Sequence, residues 1–264
     1  MKKRVEEVKS WEPFKLSKDW IQYKHSPRLK DNGFIGYDSD GVFDMWVDGL
    51  FYEINQLGHR CEFIPDDKDY GVAVGCSHTF GSSLNLKDLY HQNLDTKLPV
   101  YNLGVGGSSN QVSIHNLSNL LLNHKKPSFV IFQISSKERF TGIELKEKIK
   151  YMQNFGVWSL ADEGICEAML CLDEVSAFDI RLQTDIKIVE ALCRDIPLVF
   201  ATHSNFVEEG EIKTTAPQYF MKLTKTSADN MHSCKEDHLR WAKDLSEIIK
   251  KGPKPLNVYQ AITY

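Results

Sequence analysis

Three short segments of this chain carry residues whose types and spacing could supply a nucleophile, an anion cradle and a general base. Gly75-Cys76-Ser77-His78-Thr79-Phe80-Gly81 sets a serine hydroxyl between two glycines. Glycine on both sides permits a tight turn that presents the hydroxyl at the rim of a sheet. Position 79 is threonine, so this is not the GxSxG nucleophile elbow. A serine that caps the following helix is the structural alternative. Asn102-Leu103-Gly104-Val105-Gly106-Gly107-Ser108-Ser109-Asn110 places three glycines in four positions. Bare backbone there can approach a ligand closely, and its N–H groups can cradle an anion. The stretch is not GxGxxG and no Walker lysine follows, which weighs against a dinucleotide or P-loop site. Asp229 stands three residues before His232, in a loop that opens a helix. A carboxylate so placed can fix the imidazole tautomer and leave the other ring nitrogen as a base. The alternative is Asp229 as a helix cap and His232 as a surface residue.

These segments need elements to hold them. Gly71–Cys76, Pro99–Leu103, Phe129–Ser135 and Pro197–His203 read as short apolar strands. Gln111–Asn123, Ser176–Arg194 and Lys235–Lys250 read as helices, each with an apolar face at three- and four-residue steps. The last places Trp241, Ala242, Leu245, Ile248 and Ile249 inward, and His238 is expected to face solvent. Phe43–Leu57 also has helical spacing, ended by Gly58, and Cys61–Ile64 is a short strand candidate. Strands without alternation, separated by helices, predict a parallel sheet covered on both faces. Sites in such sheets form outside the carboxyl ends of the strands. The loops in question are GCSHTFG, NLGVGGSSN, SSKERF and HSNF. Thr141–Asp173 is expected to form part of a lid or substrate wall.

Composition removes several function classes. The chain has 264 residues, with 42% hydrophobic and 26% charged, an ordinary globular balance. With 32 basic and 36 acidic residues the net charge is −4, no basis for a nucleic-acid partner. No apolar run nears the ~20 residues of a membrane span, and no signal peptide is visible, so a cytoplasmic protein is expected. The six cysteines form no CxxC pair, and free thiols are the expected state. Cys76, His78, His232 and Cys234 form CxH and HxC pairs, but alternate residues at a strand end diverge, so no zinc site is expected. Residues 1–45 read as an N-terminal extension packed on the domain, and 46–264 as the domain itself. The DSDG at Asp38–Gly41 lacks the other ligands of a calcium loop and reads as a turn.

In order along the chain, the motifs resemble those of the SGNH (GDSL-type) hydrolase family over about residues 70–250. GCSHTFG is similar to the family's first block, GDSxTxG, with Ser77 at the nucleophile position. NLGVGGSSN resembles the second, with Gly107 at the glycine whose N–H helps bind the oxyanion. PSFVIFQISSKERF is similar to the strand into the third block. DNMHSCKEDHLRWA resembles the fifth, DxxHPNxxGxxxxA, with Asp229 and His232 as the remaining triad members. The resemblance implies an α/β fold, a three-layer α/β/α sandwich with a flavodoxin-like parallel sheet. It implies a serine esterase or deacylase acting on a small-molecule or carbohydrate acyl ester, with no metal or organic cofactor.

Three departures stand out. Cys76 replaces the aspartate of GDS, and its side chain is expected to point away from Ser77. Ser233 replaces the proline after His232. The third block normally reads GxND, whose asparagine donates to the oxyanion, and here Ser135-Ser136-Lys137-Glu138 stands in its place. Losing such a donor typically costs roughly 10²–10³ in rate. Asn110 is the expected substitute, with a helix N-cap as its alternative; Ser136 and Lys137 are further donor candidates. His78 is a lesser candidate for substrate contact, and Arg139 for an anionic substrate. The rival reading is an SGNH-like binding or structural module within a larger assembly. It takes Trp11, Phe14, Trp20 and Tyr23 of the N-terminal extension as a surface for a protein partner.

Overall fold

A computed structural model describes residues 27–37, 43–44, 50–62, 67–146, 149–155, 163–203, 211–227 and 232–252. Asp38–Gly41, Asp229 and the aromatic residues Trp11, Phe14, Trp20 and Tyr23 lie outside them.

The first described strands are short: β1 (Arg28–Leu29), β2 (Ile35–Gly36), β3 (Phe43–Asp44) and β4 (Phe51–Tyr52). β3 and β4 pair antiparallel, with Phe43 opposite Tyr52. This corrects the helix expected over 43–57. Tyr52 and Ile54 are buried while Glu53 between them is exposed, the two-residue alternation of extended chain. Gly49 lies inside the would-be helix and weakens it. Cys61 and Glu62 are irregular rather than strand. Phe34 packs into the main core, and Ile35 and Tyr37 into a smaller one with Tyr52 and Phe80.

The central sheet is built from β5 (Gly71–Val74), β6 (Val100–Asn102) and β7 (Phe129–Ile134), with a short helix α1 (Ser77–Phe80) after β5 and α2 (Asn110–Asn123) after β6. A hairpin follows, β8 (Phe140–Lys146) and β9 (Ile149–Phe155), then helices α3 (Glu163–Glu174) and α4 (Ala177–Leu192). β10 (Leu198–His203), β11 (Gln218–Met221) and the last helix, α5 (Lys235–Lys251), complete the described elements. Five strands form one parallel sheet in the order β11-β10-β7-β5-β6. Read from the other edge this is 2-1-3-4-5, the flavodoxin-like doubly wound order. β11 was not expected: four residues behind Pro217 give too short an apolar run to stand out.

Side chains alternate across this sheet. Val72 and Val74 of β5 join Leu117 of α2 and Leu182 and Ile186 of α4 in one core. Ala73 between them joins Ile131, Val199, Trp241 and Leu245 in the other. Helices therefore cover both faces, α2 and α4 on one and α5 on the other, giving three layers.

The hairpin was not expected either. β9 pairs with β1 through Arg28 and Tyr151, making a second sheet ordered β2-β1-β9-β8. All six cysteines are thiols, and only Cys171 is exposed. No helix among the described residues is long and apolar enough to cross a membrane.

Candidate active site

Ser77 is the first residue of α1, at the exit of β5. Cys76 is extended, with φ −93° and ψ −151°, and its carbonyl accepts the N–H groups of Thr79 and Phe80 at 3.0 and 2.9 Å. The turn closes on Gly81 at φ +85°, a left-handed conformation that favours glycine. Ser77 makes no side-chain cap; Cys76 occupies the cap position.

Three buried side chains hold this turn. Gln133 on β7 accepts the Cys76 N–H at 2.9 Å and the Thr79 hydroxyl at 3.2 Å through Oε1. Tyr90 hydrogen-bonds Thr79 Oγ1 through its own hydroxyl at 3.0 Å. Arg60 is 1% exposed and donates to the carbonyls of Gly81 and Leu84, at 2.5 Å each, and of Phe80 at 3.3 Å. Its guanidinium lies 4.2 Å from the centre of the Tyr52 ring.

The Cys76 side chain does not point away from the serine. Its thiol meets Gln133 Oε1 at 3.3 Å, which brings Sγ within 4.0 Å of Ser77 Oγ. Burial pushes this thiol up. The charge of Arg139 and hydrogen bonds with the His78 backbone, Gln133 and Ser135 outweigh that and hold it below its ordinary pKa.

The glycine-rich loop lies against the same turn. A Cβ on Gly104 would sit 2.3 Å from the backbone nitrogen of Phe80, so only glycine permits this approach. Gly106 donates its N–H to the Tyr37 hydroxyl at 2.9 Å, and Gly107 has φ +70°. Among the described residues, no protein acceptor takes the N–H of Ser77 or of Gly107.

The candidate side-chain donors are engaged elsewhere. Asn110 opens α2, and its Oδ1 accepts the Ser135 N–H at 2.8 Å. Its side chain also hydrogen-bonds Asp185. Since an NH2 group carries two hydrogens, one remains for another acceptor. Ser136 Oγ hydrogen-bonds Glu138. Lys137 Nζ sits between Asp179 and Glu211, 2.6 Å from each, and these hydrogen bonds outweigh burial to raise its pKa. Its ammonium braces α4 and the start of the 211–227 segment.

His232 belongs to a histidine cluster. Its ring stands 5.3 Å from that of His78, edge to face at 61°. His203, the last residue of β10, stacks on His78 at 4.7 Å and 22°. His238 is 1% exposed, which corrects the solvent-facing position expected for it. It lies on the same face of α5 as Trp241 and Ala242, three and four residues on, and packs 4.7 Å from the Trp241 ring. Burial pushes His203 down to about 4 and His238 to about 3, and holds His78 well below its ordinary value. Sequence reasoning marked the loop HSNF without singling out His203, and it missed Gln133 and Arg60. Gln133 was legible in principle, as the one polar residue inside the apolar run FVIFQI.

A parallel sheet in this order, with GCSHTFG leaving its first strand and the glycine-rich loop leaving its second, has the architecture that the sequence resemblance implies. The fold is a flavodoxin-like three-layer α/β/α sandwich. Solved structures similar to the chain include a lipolytic G-D-S-L family protein from Veillonella parvula DSM 2008. It is 9% identical, covering 70% of this chain and 100% of that one, with TM-score 0.44. The native aryl esterase of M. smegmatis is 10% identical over 70% of this chain and 99% of its own, TM-score 0.44. An acetyl xylan esterase from the rumen bacterium Butyrivibrio proteoclasticus is 11% identical over 77% and 66%, TM-score 0.40. No protein-family profile matches the chain, and no curated protein does.

Proposed function

We propose that the protein is a serine hydrolase that cleaves an acyl ester, with acetylated carbohydrates or small acyl esters as its substrate class. The observation that carries the reading is the meeting of two loops: His232 lies 5.3 Å, ring to ring, from His78, the residue bonded to Ser77. Because His78 follows Ser77 directly, this contact supports a serine and a histidine, distant in sequence, sharing one rim of the sheet, where sites of such folds form.

In this reading His232 takes the proton of Ser77 Oγ as the oxygen attacks the acyl carbonyl. Asp229, three residues earlier in the same loop, orients His232 and stabilises its imidazolium. The N–H groups of Ser77 and Gly107 hold the tetrahedral oxyanion, with the remaining Asn110 amide hydrogen as third donor. The C–O bond to the alcohol breaks, and His232 returns its proton to the departing oxygen. Water then attacks the acyl-serine, gives a proton to His232, and Ser77 recovers it as the acid leaves.

The test is hydrolysis of a short acyl ester by the full chain and by Ser77→Ala and His232→Ala. Loss of turnover in both variants with the fold intact supports the reading. Full activity in Ser77→Ala contradicts it. A parent chain without turnover favours instead a binding module on the same fold, as the absent third-block asparagine would suggest.

A further inference from the structure

The histidine cluster contains an ordered chain of hydrogen bonds that the triad does not use. The Tyr90 backbone N–H lies 3.2 Å from His238 Nδ1. His238 Nε2 lies 2.9 Å from Ser233 Oγ, and Ser233 Oγ lies 3.1 Å from His78 Nδ1. His78, Ser233 and His238 are 5%, 0% and 1% exposed.

The proton positions in this chain follow from one fixed end. A backbone N–H can only donate, so His238 Nδ1 must accept. A neutral imidazole then carries its hydrogen on Nε2 and donates it to Ser233 Oγ. The Ser233 hydroxyl has its own hydrogen to place. Among the described residues it has no third partner, and a buried hydroxyl hydrogen needs an acceptor. The remaining acceptor is His78 Nδ1, so His78 carries its hydrogen on Nε2.

We propose that His78 is a positioning residue for His232, locked as its Nε2–H tautomer by the chain from Tyr90 through His238 and Ser233. His78 presents a fixed ring against which the His232 imidazole stands edge to face. The stacked His203 closes the other side. His78 faces His203, His232, His238 and the charge of Arg139, and with burial each of these disfavours its protonation. A neutral His78 adds no like charge beside His232 when that ring accepts a proton. Ser233 thereby gains a purpose at the position where the family motif has proline, a residue with no hydroxyl to give. The inference rests on His232 as the base, although the lock itself does not.

The experiment is long-range 1H–15N NMR of the histidine rings in the full chain at neutral pH, with steady-state kinetics on one acyl ester. His78 and His238 are expected to be neutral with hydrogen on Nε2. Ser233→Ala should abolish that pattern at His78, move the His232 resonances, and lower kcat about tenfold with KM unchanged. Ser233→Thr, which keeps the hydroxyl, should preserve all three. Should Ser233→Ala fail to fold, Ser233→Cys keeps a weaker donor and should show the same losses at smaller size. Hydrogen on His78 Nδ1 in the parent overturns the lock. A lost tautomer with unmoved His232 resonances and unchanged kcat overturns the positioning role. A parent with no turnover defeats the hydrolase reading alone, because the tautomers and the His232 resonances still judge the lock.

Discussion

The side-chain carbonyl of Gln133 accepts the backbone N–H of Cys76 at 2.9 Å, tying the third strand of the sheet to the turn that bears Ser77. Gln133 is fully buried, and its Nε2 donates to the Ile134 carbonyl at 2.9 Å. Gln133→Leu keeps the volume but leaves the Cys76 N–H and the Thr79 hydroxyl without this acceptor. A buried unpaired group costs about 1–3 kcal/mol, which is the expected loss of unfolding free energy. Urea denaturation measures it, and a change below 0.5 kcal/mol, roughly the size of a neutral surface substitution, would show that the turn does not depend on Gln133.

Arg60 is buried against carbonyl groups rather than carboxylates. Three carbonyls of the 80–84 segment converge on its guanidinium, and the Tyr52 ring covers it. Arg60→Met should destabilise by about 1.5–3 kcal/mol, the range for hydrogen bonds to a charged group. Arg60→Lys should not rescue it, because a single ammonium cannot span the fork. Thermal melts of the two variants check this, and a lysine variant as stable as the parent argues against the fork.

Several buried histidines make stability fall in acid. Burial lowers His59, His91 and His238 to about 3 and His203 to about 4. Unfolded, each titrates near ~6.5, so below that pH the unfolded chain binds more protons than the folded one. Their contribution is complete above ~6.5 and is lost as pH falls toward the folded values, by up to about 1.4 kcal/mol per ring per pH unit. The denaturation midpoint should drop between pH 7.5 and pH 5, and His91→Gln should reduce the slope. Equal midpoints at the two pH values would show that these rings are not buried neutral.

Four strands of the doubly wound sheet were legible because they are mostly apolar, and its helices because each keeps one apolar face. The aromatic spacing of 43–57 misled, since Phe43, Trp46, Leu50 and Ile54 fit a helix while the chain pairs Phe43 with Tyr52. The hairpin 140–155 was hidden because its strands mix charged and apolar residues without a continuous apolar run. In the candidate site, the turn that bears Ser77 and the close approach of the glycine-rich loop were legible from local turn chemistry. The histidine cluster was not, because His78, His203 and His238 meet only once β5, β10 and α5 are assembled. His238 could have been placed inward from its spacing to Trp241.

The oxyanion reading separates Asn110 from Lys137. Asn110→Ala should lower kcat by roughly 10²–10³ with little change in KM, the mark of a transition-state donor. It should also destabilise, because the Ser135 N–H loses its acceptor. Lys137→Ala should cost less than about tenfold, since its ammonium is held by Asp179 and Glu211. Steady-state kinetics on folded protein decide, and a crippled Lys137→Ala beside a near-normal Asn110→Ala would reverse the assignment.

The central claim is that Ser77 Oγ is the nucleophile, activated by His232. Fluorophosphonate labelling of the full chain, with the adduct mapped by peptide mass spectrometry, tests it most directly. The account predicts one adduct per chain, on Ser77, and a labelling rate that collapses in His232→Ala. No adduct on folded protein, or one on another residue, would contradict it.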